Sequence, residues 1–162
     1  MPCDMLCYMF SMSRCTTAPL WFSALLLAGL SLCQESSNAW RQSELMEPTA
    51  LARAIEAGKA PYVICVAFPV LYRGKHIPNS IYAGPGNKPE GLAMLKTVAS
   101  KLPKDDTVVI YCGCCPMDKC PNVRPAYNLL KELGFKKIKV LDIPISMHTD
   151  WFSRGFPSEA GS

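Results

Sequence analysis

No stretch of this sequence interleaves lysine and arginine with aromatic residues, although the net charge over 162 residues is +4. The lysines are scattered, so a dedicated nucleic-acid surface is not expected. Internal repeats and low-complexity segments are missing, which sets aside solenoids and polar linkers. No apolar run reaches the roughly 20 residues that a membrane-spanning helix needs. Paired C-x2-C knuckles, the strong signal for a zinc site, are also absent. Charged residues make up only 19% of the chain and apolar residues 49%. That balance supports a true hydrophobic core in one domain of ordinary size.

The longest apolar run is "APLWFSALLLAGLSL", which follows Arg14. Its length is that of a secretory signal, and Ser37 and Ala39 supply the small residues that a cut before Trp40 requires. Residues 1–39 are therefore expected to be a signal peptide and residues 40–162 the mature domain, exported to a periplasm or secreted. Met9 and Met12 are alternative starts. Cys33 follows "LSL" as the lipidated cysteine of a lipoprotein does, but Leu32 stands where a small residue belongs. A membrane partner is expected only through lipid on Cys33. Cleavage removes Cys3, Cys7, Cys15 and Cys33 and leaves Cys65, Cys112, Cys114, Cys115 and Cys120. An odd set cannot pair completely within one chain, which points to a reactive thiol in an oxidising compartment.

Strands and helices alternate along the mature chain. A short helix opens at Pro48 and closes at Gly58, and "YVICVAF" (62–68) is a continuous β-branched run suited to a strand covered on both faces. "LYRGKHIPNSIYAGPG" supplies turn residues around a short strand near Ser80 to Tyr82. Leu92, Leu95, Val98, Ala99 and Leu102 recur at helical spacing, with Pro103 as the stop. Thr107 to Tyr111 form a third strand. "RPAYNLLKELG" is a helix with Pro125 in its first turn, "KKIKVLDI" a fourth strand, and "HTDWFSRG" a closing helical turn. The alternation predicts an α/β fold, a parallel sheet flanked by helices on both faces.

The informative stretch is "YCGCCPMDKCPNVRP", residues 111–125. Ligands of open parallel sheets sit outside the carboxyl ends of the strands, and Cys112 stands at such an end. The loop after it leads to a helix N-terminus, where free N–H groups favour negative charge. A cysteine in that setting is expected as the thiolate, the nucleophilic form. Gly113, Cys114, Cys115, Lys119, Cys120 and Arg124 are the candidate loop and anion-binding residues, with Lys119 and Arg124 contributing positive charge.

"TVVIYC", the loop, and "RPAYNLLKELGFKKIKVL" together resemble the active-site strand, loop and helix of the rhodanese (sulfurtransferase) family. "LYRGKHIPNSI" is similar to that family's "EY..GHIPGA" stretch through Tyr72, Gly74, His76, Ile77 and Pro78. "DWFSRGFP" resembles its terminal "W...G.P" element through Trp151, Gly155 and Pro157. The resemblance spans about residues 44 to 158 and implies a rhodanese-like fold. It also implies a cysteine, here Cys112, that takes up sulfane sulfur as a persulfide and passes it on. The implied partners are a small sulfur-containing donor and a thiol or other nucleophilic acceptor; no cofactor, metal or nucleic acid is expected, and the domain is expected to be a monomer. The loop is longer than the family's: residues 113 to 123 separate Cys112 from Arg124, and Cys65-Val66-Ala67 stands where the family carries Asp-Val-Arg.

Other chemistries stay open at this level. Cys112 with Cys114, Cys115 or Cys120 could exchange thiol for disulfide. The same four sulfurs could hold a soft ion such as copper(I) in a cysteine-rich binding module. A disulfide such as Cys114–Cys120 or Cys115–Cys120 could pin the loop. Cys65 is expected as a small buried strand residue, His76 as a loop-fixing group rather than a base, and His148 and Asp150 as an exposed pair opposite Cys112.

Overall fold

The computed structural model describes residues 39–161, so the expected leader, with Cys33, lies outside the described residues up to Asn38. Five parallel strands form the sheet: β1 (Leu45–Met46), β2 (Tyr62–Cys65), β3 (Ile81–Tyr82), β4 (Thr107–Tyr111) and β5 (Lys137–Leu141). Their spatial order is β1-β5-β4-β2-β3, which puts β4 at the centre. Val108, Val109 and Ile110 point alternately to opposite faces of β4, and all three are fully buried. Both faces of the central strand are therefore covered, which is why its sequence is a continuous apolar run rather than an alternation.

Among the described residues five α-helices accompany the sheet: α1 (Pro48–Glu56), α2 (Pro69–Gly74), α3 (Pro89–Ala99), α4 (Val123–Glu132) and α5 (Met147–Asp150). Pro48, Pro69 and Pro89 open the first three, where the missing N–H costs nothing and the fixed φ suits the first turn. The helix at 69–74 is a departure from the turn expected there. Six residues are too few to show a helical period, so only Pro69 marks it in sequence. Strand β2 also stops earlier than its apolar run. Val66 and Ala67 are fully buried, but they form a crossing segment in which Val66 N–H donates to the Tyr111 carbonyl at 2.8 Å. Continuous burial without alternation had made the two segments look alike.

Leu51, Ile64, Ile77, Leu95, Leu130, Val140 and Trp151 are fully buried in one core. Trp151 sits there because its indole N–H donates to the Pro157 carbonyl at 2.9 Å, leaving no buried donor unmet. Among the described residues no helix is long and apolar enough to cross a membrane.

The first described segment is tied down by a buried carboxylate. Glu44 accepts from the Arg41 guanidinium at 2.8 Å and from the Tyr127 hydroxyl of α4 at 2.9 Å. The Arg41 side chain is the largest cause that holds Glu44 down at about 2, against an ordinary 4.5. A carboxylate with a depressed folded pKa contributes stability that is complete above its unfolded value and lost as pH falls through the folded one. Glu44→Gln is therefore less stable than the wild type near neutral pH, and the gap closes as pH falls from about 4.5 towards about 2. Urea midpoints across that range measure it; a gap independent of pH would contradict the assignment.

Candidate active site

Strands β2 and β4 end side by side, with Cys65 in register with Tyr111, and Cys112 is the next residue. Cys112 is only 5% exposed. It lines a cavity of about 360 Å³ whose walls come from three places. Cys65 and Tyr111 form the strand-end floor, Val70 and Leu71 of α2 form one side, and Met147 and Phe152 of the closing segment form the other. Lys75 and His148 are the cavity's basic side chains. The floor is rigid because the buried Tyr111 hydroxyl accepts from Ile77 N–H at 3.3 Å and shares a 3.0 Å hydrogen bond with Ser80. Burial drives the Tyr111 phenol well above its ordinary pKa, and it pushes the Cys65 thiol up to about 11. Both groups stay neutral under Cys112.

Two backbone features turn the chain after the strand. Gly113 has φ of +102°, a region that side-chain-bearing residues avoid, and a Cβ there would lie 2.6 Å from Met147 Cγ. The second feature is Asn122, which is 1% exposed and occupies the N-cap position of α4. Asparagine there ordinarily accepts from its own helix, but this one makes no capping bond. Its amide N–H donates to Cys112 Sγ at 3.2 Å, and its Oδ1 accepts from Asn87 N–H at 3.1 Å. Close approach of Gly86 keeps it there: a Cβ on Gly86 would meet the Asn122 carbonyl oxygen at 2.1 Å. The helix terminus thus reaches Cys112 through a side-chain amide, where the sequence suggested main-chain N–H groups.

The loop gathers the remaining sulfurs around Cys112. Cys112 Sγ is 3.5 Å from Cys114 Sγ, and Cys114 Sγ is 3.3 Å from Cys115 Sγ. Cys112, Cys114 and Cys120 have all three sulfurs within 4.8 Å of one another. The five described cysteines are free thiols, including the pairs considered for a loop-pinning disulfide. Burial, then contact with Cys115, raises the Cys114 thiol to about 11; burial also raises Cys115. Contact with Cys112 is the first cause that raises Cys120 far above the ordinary thiol range. These neighbours are therefore protonated near neutral pH.

Lys119 and Arg124 lie elsewhere. Lys119 is exposed, and the Arg124 guanidinium stacks 3.3 Å above the Trp40 ring. Both line a separate cavity with Trp40 and Cys120, not the one that Cys112 and Lys75 line. The structure places Lys75 in the Cys112 cavity, and sequence reading passed over it while naming Gly74 and His76 on either side. Its signal was weak, because a charged residue next to a turn is ordinarily a solvated one. His76 is buried and fixed: Nδ1 donates to the Tyr72 carbonyl at 2.8 Å and Nε2 lies 3.1 Å from Glu159 Oε1. Asp150 is buried rather than exposed, accepting from Ile145 and Ser146 N–H at 2.7 and 2.9 Å, and so shapes the wall that presents Met147 and His148.

The family model of the rhodanese-like domain matches residues 47–143. Solved structures with the same fold include a protein from Bacillus halodurans, 24% identical with a TM-score of 0.58, covering 73% of this chain and 77% of that one. A second, from Anabaena sp., is 20% identical with a TM-score of 0.55, covering 72% of this chain and 92% of its own. The thiosulfate sulfurtransferase from Pseudomonas aeruginosa is 20% identical with a TM-score of 0.50, covering 76% of this chain and 22% of that longer one. No curated protein matches. The matched span takes in the sheet from β2 to β5, with Cys112 and its loop, and this chain belongs to the rhodanese-like domain family.

Proposed function

We propose that the chain is an exported sulfurtransferase that carries sulfane sulfur as a persulfide on Cys112 and uses no cofactor. The observation that carries this reading is the setting of Cys112: the end of the central strand, an N–H donor at 3.2 Å, and an open, mostly apolar cavity. In the first half-reaction the Cys112 thiolate attacks the outer sulfur of a donor X–S⁻. The Cys112 Sγ–S bond forms as the X–S bond breaks, and X leaves with its electron pair. In the second, an acceptor thiolate attacks the outer persulfide sulfur and Cys112 leaves as thiolate. The Asn122 N–H stabilises negative charge on Sγ at the start of one step and the end of the other. Sulfur is soft and weakly hydrated, so apolar walls suit it, and Lys75 supplies a cation for an anionic donor.

Export belongs to the same proposal. Trp40, the residue after the expected cut, packs edge-on against Tyr127 with ring centroids 5.1 Å apart and lies under Arg124. The first residue left by the expected cut is thus packed into the domain, and the domain is proposed to act as a monomer. The 3.5 Å between Cys112 and Cys114 favours a second reading, a dithiol that cycles through a Cys112–Cys114 disulfide.

Intact mass of the reduced protein after exposure to a sulfane-sulfur donor separates the two. Transfer predicts a gain of one sulfur atom that disappears in Cys112→Ala. Loss of two hydrogens without sulfur gain would instead establish the dithiol. Asn122→Asp keeps the acceptor for Asn87 but replaces the donor to Cys112 with a like charge, and should slow sulfur loading by at least about tenfold. An unchanged loading rate would remove Asn122 from the chemistry. Lys75→Ala should raise KM more for a doubly charged donor such as thiosulfate than for a singly charged alkyl persulfide; equal effects on both would show that Lys75 only shapes the cavity.

A further inference from the structure

Sulfur transfer needs one cysteine, yet three sulfurs converge. Cys112, Cys114 and Cys120 all lie within 4.8 Å of one another, and the group contains neither imidazole nor carboxylate. Metal–thiolate bonds of about 2.3 Å put sulfurs about 4 Å apart around a trigonal ion. The observed separations are compatible with that value: the Cys112–Cys114 contact is 3.5 Å and no pair in the group is more than 4.8 Å apart. A donor set of thiolates alone selects soft ions. Three sulfurs rather than four suit trigonal copper(I) better than tetrahedral zinc, and Cys115, adjacent to Cys114 in sequence, is poorly placed to complete a tetrahedron.

Access is built in the same way. Cys112 and Cys120 are each 5% exposed, whereas Cys114 is exposed and has Cys115 3.3 Å beyond it. An ion could be taken by the outer sulfurs and passed to the buried pair. We propose that Cys112, Cys114 and Cys120 form a binding site for copper(I), with Cys115 as the entry ligand. Each ligating thiol releases a proton to solvent, and the ion keeps its oxidation state. Because Cys112 serves both, copper and sulfane sulfur exclude each other. That consequence rests on the function proposed above, while the binding site itself does not.

The test uses the reduced full chain carrying Cys3→Ser, Cys7→Ser, Cys15→Ser and Cys33→Ser, titrated anaerobically with copper(I) against a chromogenic copper(I) chelator. One equivalent should be retained. Cys114→Ser and Cys120→Ser should each weaken retention at least about tenfold. Cys114 is exposed, so its variant keeps the test valid if Cys120→Ser does not fold, which circular dichroism reports. Retention unchanged in Cys114→Ser, or no retention by the parent, would overturn the site. Preloading with copper should also abolish the mass gain from a sulfur donor. If copper binds as described but the metal-free protein gains no sulfur, the site stands and the sulfurtransferase reading falls.

Discussion

Asn122 gives its side-chain N–H to Cys112 Sγ instead of serving its own helix, and most of the site is arranged around that choice. An asparagine at a helix start ordinarily gains stability by capping it. Here α4 goes without that bond, and the amide is instead clamped between Asn87 and the sulfur, with Gly86 pressed against its carbonyl. The helix N-terminus therefore acts on the strand-end cysteine across a loop of nine residues, 113 to 121, before Asn122 closes the contact. A longer loop need not weaken the link between strand and helix when one buried side chain spans it.

The loop's extra length is where the sulfurs sit. Gly113 reverses the chain against Met147, so that Cys114 returns beside Cys112 instead of pointing away. Cys120 comes back from the other end, just before Asn122. The neighbouring thiols are held protonated by burial and by one another, and the cavity is floored by a neutral Tyr111 and a neutral Cys65.

Much of the architecture was legible because it was periodic or long. β4 and α4 carry unbroken patterns, and the position of Cys112 follows from the end of an apolar run at Tyr111. α2 and β1 were not legible, since six and two residues show no period. Asn122 looked like an ordinary position before a helix, because sequence cannot say which partner a capping side chain will choose. Lys119 and Arg124 were natural choices for anion contacts by proximity along the chain. The loop turns them outward, where Arg124 finds Trp40, and a lysine at the end of the unrecognised α2 takes the place beside the cavity.

If Cys112 is the proposed nucleophile, its surroundings and not its exposure make it so. Peptide mapping after brief treatment of the reduced protein with less than one equivalent of iodoacetamide tests it directly, since each cysteine's label can be counted. Label should accumulate first on Cys112, although it is 5% exposed and Cys114 lies open to solvent. Label that followed exposure, with Cys114 and Cys115 ahead of Cys112, would contradict it.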